Sequence, residues 1–282
     1  MDQAATLRKI TDHNTVKEVR VMAITSGKGG VGKTNVVTNL AIALSRMGKK
    51  VLILDADLGL GNIDILLGLA PRYNLRHLLS GEKSVSEIMI EGPSGISILP
   101  ASSGFEELTA LSMEQQLNLL SAIEKVSDRI DILLIDTGAG ISSNVIYFNL
   151  VAQDIIVIVS PEPTSITDAY ALMKILSVRH NEKRFRLLVN LAKTPQQAKD
   201  VYRRLSIVAD RFLNISIDYL GDIPLDDHLP LAVCQQKAAL ELFPDSRASK
   251  AFVGLARQIS DLPLPESPKG NIQFLQYKQI GQ

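Results

Sequence analysis

The segment Gly27-Lys28-Gly29-Gly30-Val31-Gly32-Lys33-Thr34 constrains this chain more than any other stretch of its sequence. An apolar run, Val21–Thr25, leads into it, and a helical pattern, Asn35–Met47, leads out. GxxxxGK[ST] set between a strand and a helix is a phosphate loop. The glycines let successive backbone N–H groups turn inward as an anion nest, and the helix N-terminus adds its dipole. In this pattern Lys33 brings positive charge to the outer phosphates, and the Thr34 hydroxyl is the expected Mg²⁺ ligand.

The rest of the chain supplies what such a loop needs around it. Short apolar runs at Val21–Thr25, Val51–Leu54, Ile96–Leu99, Ile130–Ile135, Ile155–Val159 and Leu187–Asn190 suit strands buried on both faces, and a weaker one lies near Ile217–Leu220. Helical stretches fall between them at Met113–Val126, Ser143–Val151, Ser165–His180 and Gln196–Leu213, with a last one over 244–261. Thr194-Pro195 reads as a cap followed by proline in the first turn. The expected fold is therefore a single-domain α/β P-loop NTPase, with a mostly parallel twisted sheet and helices on both faces. It spans 19–262, after a polar appendage at 1–18 and before a Pro-rich linker and tail at 263–282.

Composition narrows the setting. Thirty basic and thirty acidic side chains give a net charge of +0, which offers no footprint for direct nucleic-acid binding. The single cysteine, Cys234, leaves no internal disulfide and no paired-cysteine metal site. The N-terminal sequence MDQAATLRKI is not a signal peptide, and no apolar run is long enough to span a bilayer. A cytoplasmic setting is expected.

Two runs end in carboxylates. Val51–Leu54 leads to Asp55-Ala56-Asp57, and Ile130–Ile135 leads to Asp136-Thr137-Gly138-Ala139-Gly140. Carboxylates at the C-terminal ends of parallel strands face the ligand crevice. Beside a phosphate loop, an apolar strand ending in Asp136 reads as a Walker B strand whose acid contacts Mg²⁺ through water. The glycines behind it suit a loop that senses the γ-phosphate.

The second loop lysine, Lys28, makes the motif KGGVGKT. With it the chain resembles the MinD/ParA ATPases, which carry a deviant Walker A motif. The resemblance implies an ATP-dependent homodimer in which Lys28 reaches the partner's phosphates, with ATP and Mg²⁺ as ligands and slow hydrolysis of ATP. It implies further that Asp57 orients the attacking water or a Mg²⁺-bound water, with support from Asp55 and with Asn62 near the dimer interface. Asn190 would read the adenine, and the segment holding Pro224 would pack beside the base.

Within that family the chain resembles the flagellar-number regulators (FlhG, also called FleN or YlxH). Three segments carry this: Asp2-Gln3-Ala4-Ala5-Thr6-Leu7-Arg8, Asp136-Thr137-Gly138-Ala139-Gly140-Ile141, and Pro161-Glu162-Pro163-Thr164-Ser165-Ile166-Thr167-Asp168-Ala169-Tyr170. The resemblance implies that Asp2, Gln3, Ala4, Leu7 and Arg8 engage an FlhF-type GTPase. Flagellar C-ring proteins or a transcription activator are further implied partners. The tail, with Ile272, Phe274, Leu275, Tyr277 and Ile280 beside the single lysine Lys278, has two readings. It is either a weak membrane-binding helix that would place the protein peripherally on the inner membrane face, or a segment folded back onto the body. One cysteine excludes the cluster-bearing reductase relatives. A division-site or partition ATPase, and a non-hydrolysing ATP-sensing anti-activator, remain as rival readings.

Overall fold

The computed structural model describes residues 19–59, 61–101 and 110–263. In chain order its strands are β1 (Arg20–Ser26), β2 (Val51–Ala56), β3 (Ile90–Glu91), β4 (Ser97–Leu99), β5 (Ile132–Ala139), β6 (Asp154–Val159), β7 (Arg184–Ala192) and β8 (Ser216–Pro224). They form one eight-stranded sheet in the order β3-β4-β2-β5-β1-β6-β7-β8. β3 runs antiparallel to β4, and the other pairings are parallel.

Alternation along the strands builds two cores. Met22 and Ile24 of β1 pack on one side of the sheet, whereas Val21 and Ala23 pack on the other. β6 divides in the same way, with Ile156 and Ile158 opposite Ile155, Val157 and Val159. The first side is covered by α1 (Lys33–Arg46), which supplies Val36 and Leu40, and by the last helix of the described chain (Arg247–Ser260), which supplies Phe252 and Ala256. Successive strand residues are thus all apolar because each faces a helix layer.

Before that last helix come α2 (Ile63–Leu66), α3 (Leu75–Leu79), α4 (Val85–Ile88), α5 (Met113–Glu124), α6 (Ser143–Val151), α7 (Pro163–His180), α8 (Pro195–Leu213), α9 (His228–Cys234) and α10 (Ala239–Leu242), so the last helix is α11. The second side of the sheet lies under α5 and α6, through Leu119 and Phe148, and under α7 and α8, through Leu172 and Val201. α7 and α8 both start on a proline in the first turn, and Thr194 caps α8 by accepting from Gln197 N at 3.1 Å. Both end on an asparagine in the left-handed region, Asn181 at φ 59° and Asn214 at φ 50°.

Two strand readings need correction. The strand expected over Ile130–Ile135 runs from Ile132 to Ala139, so Asp136 lies inside it. Flanking strands on both sides hold it there: β2 pairs Asp55 with Asp136 and Ala56 with Thr137, and β1 pairs Ser26 with Ala139. The weak run near Ile217–Leu220 is a nine-residue strand, Ser216–Pro224, so the segment holding Pro224 begins inside it. β3 and the four- or five-residue helices over 63–88 escaped notice because such lengths carry no readable period.

At the N-terminal edge of the sheet, Arg20 is 5% exposed. It donates to Asp154 Oδ2 at 3.0 Å and to the carbonyls of Leu262 and Pro263 at 2.8 and 2.6 Å. Both ends of the described chain therefore meet at the start of β1, the far end of that strand from the phosphate loop. The appendage expected over 1–18, including Asp2, Gln3, Ala4, Leu7 and Arg8, lies outside the described residues, as does the tail beyond Pro263.

Candidate nucleotide-binding site

The phosphate loop joins β1 to α1 and is gripped from two sides. Gly32, at the N-cap of α1, has φ +82°, and a Cβ there would meet Asn190 Nδ2 at 2.5 Å. Gly27 lies against the backbone of Asp168 in α7, where a Cβ would have no room. Asn190 itself is 3% exposed and donates from Nδ2 to Val31 O at 2.7 Å. Its Oδ1 is buried with no hydrogen-bond partner, an acceptor that the interior leaves unmatched.

The two loop lysines have different surroundings. Lys33 Nζ is 2.6 Å from Asp136 Oδ1, with both side chains buried. The β2–β5 register sets Asp55 level with Asp136, so two carboxylates share this dry corner with one lysine. Burial, and then the neighbouring Asp136 charge, raise the Asp55 carboxyl to about 8, against the pull of the Ile63 and Asp57 amides and of Lys33. Burial beside a second carboxylate thus pushes Asp55 toward its neutral form. Lys28 is instead half-exposed, and its Nζ meets Glu162 Oε2 at 2.6 Å and Thr164 Oγ1 at 2.9 Å at the start of α7.

Above these groups opens a crevice of about 520 Å³, lined by Gly29, Gly30, Val31, Gly32, Lys33 and Thr34 together with Asp57 and Asn62. Asp57 sits at the end of β2, with its Oδ1 3.6 Å from the position a Cβ would take on Gly138. Pro224 ends β8 beside Ala192, two residues past Asn190 on β7, so both lie at the C-terminal edge of the sheet. The fold therefore gathers Gly27 to Thr34, Asp57, Asp136, Asn190 and Pro224 along one edge.

Glu162 and Thr164, which hold Lys28, have no part in any nucleotide-binding motif of the sequence. Their signal was present: Pro161 and Pro163 bracket Glu162 and fix it at the N-cap of α7, directly after β6. Ile65 and Val233, which also line the crevice, carried no motif.

Comparison with known proteins agrees with this arrangement. A family model described as an AAA domain matches residues 19–188. The antiactivator FleN of Pseudomonas aeruginosa is 45% identical over 91% of this chain and 91% of its own length. The flagellum site-determining protein YlxH of Helicobacter pylori is 35% identical, over 84% of this chain and 80% of its own. The septum site-determining protein MinD of Pyrococcus horikoshii, solved with Mg-ADP, superposes with a TM-score of 0.72 at 25% identity. That match covers 86% of this chain and 97% of the MinD chain.

The chain belongs to the MinD/ParA family. As in any MinD/ParA protein with a phosphate loop, the loop N–H groups and Lys33 suit a triphosphate. The Thr34 hydroxyl and the Asp136 and Asp57 carboxylates are hard oxygen donors that suit Mg²⁺. Among the described residues no cluster of three or more His, Cys, Asp or Glu side chains could hold a metal alone. The unmatched Asn190 Oδ1 is an acceptor of the kind that an adenine amino group would satisfy.

Proposed function

We propose that this protein is an ATP-driven dimerisation switch that sets the number and placement of flagella. The observation that carries the switch is the division between the two loop lysines: Lys33 is buried against Asp136, while Lys28 is held at the surface by Glu162. A lysine needed only by its own subunit's phosphates gains nothing from a half-exposed site. One that must reach a second subunit requires it.

In this reading Lys33 exchanges Asp136 for the β- and γ-phosphates of ATP, which frees the Asp136 carboxylate for the metal shell. Thr34 and Asp136 would hold Mg²⁺, which when bound would supply charge compensation to the phosphates. Asn190 receives the adenine amino group on Oδ1, with Pro224 alongside the base. Lys28 leaves Glu162 and Thr164, crosses to the second copy and offsets charge on its transferring phosphoryl group. Asp57 orients the water that attacks the γ-phosphorus, and breaking the bond to the β-phosphate oxygen gives ADP and phosphate. Because ATP shifts the monomer–dimer balance only through its extra contacts in the dimer, losing the γ-phosphate releases the pair.

The flagellar part rests on similarity to FleN and YlxH along most of both chains. Residues Asp2, Gln3, Ala4, Leu7 and Arg8 would engage an FlhF-type GTPase, with C-ring proteins or a transcription activator as further partners. The tail beyond Pro263 would add membrane contact at the inner face of the cell membrane. Among the described residues no helix is long and apolar enough to cross a membrane. Two assays test the proposal together: ATP turnover by the purified chain, and GTP turnover by an FlhF-type GTPase with the full chain and with a chain lacking residues 1–10. Stimulation lost only with the truncated chain is expected. Equal stimulation by both would remove residues 2–8 from the account.

A further inference from the structure

α6 follows the Gly138–Gly140 segment behind Asp136, and its buried face carries two amides among apolar side chains. Asn144 accepts from Leu111 N at 2.9 Å, just ahead of α5. Asn149, fully buried, donates from Nδ2 to Thr25 Oγ1 at 3.2 Å and to Val145 O of its own helix at 2.7 Å. Thr25 is also fully buried and stands two residues before Gly27. Among the described residues Asn149 Oδ1 has no hydrogen-bond partner. An apolar side chain of the same size would avoid the cost of burying an amide and leaving its acceptor unmatched.

The sheet is irregular at the same level. β1 and β5 keep register from Arg20 opposite Ile132 to Ile24 opposite Asp136, and resume it at Ser26 opposite Ala139. Thr137 and Gly138 thus face Thr25 alone, and β5 bulges, as strands do where they re-aim side chains beside a site. Side chains bridge the gap. Thr137 Oγ1 donates to Ile24 O at 3.2 Å, and Asn149 holds Thr25 from the α6 side. Past the bulge, Gly140 N donates to Ser26 O at 2.9 Å. The strand that enters the phosphate loop therefore parts from the Asp136 strand at Thr25, and an amide from α6 holds it there.

We propose that Asn149 is a positioning residue for the phosphate loop, tying the placement of α6 to Thr25 so that one subunit distinguishes ATP from ADP. The inference rests on the ATP switch argued above. Contact of the γ-phosphate with the Gly138–Gly140 segment displaces α6, whose first turn follows that segment directly. Asn149 moves with the helix and, through Thr25, sets the backbone that leads into Gly27. Asn144 carries the same displacement to the start of α5. The unmatched Oδ1 belongs to this reading, because an acceptor stranded in one arrangement of a helix is one that a second arrangement can satisfy. ADP, lacking the γ-phosphate, leaves the joint as it is.

Asn149→Leu and Thr25→Val, alone and together in the full chain, test this. Titration calorimetry with the non-hydrolysable analogue AMP-PNP and with ADP gives the ratio of the two affinities, and urea midpoints check that each variant is folded. Either substitution should weaken AMP-PNP about fivefold and ADP less than about twofold, the loss expected when one neutral hydrogen bond acts in only one nucleotide state. The double variant should be no worse than the single ones, because both cut the same joint. Where Asn149→Leu fails to fold, Thr25→Val, which keeps the shape of its side chain, decides alone. Equal weakening of both nucleotides, an unchanged ratio, or losses that add in the double variant would overturn the proposal. So would lowered stability with the ratio unchanged, the mark of an amide that only supports the fold. The ratio is read from binding alone, so it tests the joint even in a chain that neither turns over ATP nor dimerises, results that would count against the switch instead.

Discussion

Lys28 Nζ lies 2.6 Å from Glu162 Oε2, so the surface lysine of the phosphate loop is tied to the first turn of α7 in its own subunit. Lys28 is 36% exposed and Glu162 60%. A pair this exposed is worth at most about 1 kcal/mol, weak enough for a second subunit's phosphates to outcompete. Glu162→Gln should therefore leave ATP affinity of the monomer unchanged and tighten ATP-dependent dimerisation by up to about fivefold, read by analytical ultracentrifugation. Lys28→Ala should bind ATP as the wild type does and stay monomeric.

Lys33 and Asp136 form the opposite kind of pair, buried on both sides. Removing the lysine leaves a carboxylate uncompensated beside Asp55, so Lys33→Ala should cost about 3 kcal/mol of folding stability as well as nucleotide binding. Adding Asp136→Asn should restore most of the stability, read in urea titrations, yet none of the ATP binding. A double variant as unstable as Lys33→Ala would show that the lysine supports the fold by some other route.

Asn190 joins the loop to β7 through Val31 O and keeps Oδ1 unmatched. Asn190→Ala removes both the loop contact and the proposed adenine acceptor. ATP affinity should fall about fivefold, with GTP affected much less, because a neutral hydrogen bond to the base is worth about 1 kcal/mol. Isothermal titration with the two nucleotides separates this from a general loss of loop order, which would weaken both alike.

Asp226 is buried at the start of α11, where it accepts from Ala248 N at 2.9 Å and faces His228 Nδ1 at 2.7 Å. Burial pushes this carboxyl up, but the Ala248 and His228 amides and the His228 ring together outweigh it and hold it near 2. A carboxyl lowered on folding stabilises above its unfolded value near 4, and that stability is lost as pH falls through about 2. The wild type should therefore lose about 2 kcal/mol more than Asp226→Asn when urea midpoints at pH 7 and pH 2 are compared. Equal losses would remove Asp226 from acid unfolding.

The fold was legible because the feature that binds phosphate also dictates its neighbours: a strand before it, a helix after it, and a parallel sheet to bury both. Strand-end carboxylates followed from the same logic, although β5 carries Asp136 in its interior, since pairing with two neighbours extends a strand past the last apolar residue. The Lys28–Glu162 tie was not legible. It links positions 134 residues apart, and no local pattern announces which carboxylate a surface lysine meets. The raised Asp55 carboxyl was hidden for a related reason. Its state depends on the register that sets it level with Asp136, and register is a property of the assembled sheet.

Light scattering on size-separated Asp57→Ala protein, loaded with Mg-ATP or with Mg-ADP, addresses the switch most directly. The expected masses are twice that of the monomer with ATP, the monomer mass with ADP, and the monomer mass with either nucleotide once Lys28→Ala is added. A single chain at every protein concentration with ATP bound, or a dimer indifferent to Lys28, would contradict the switch.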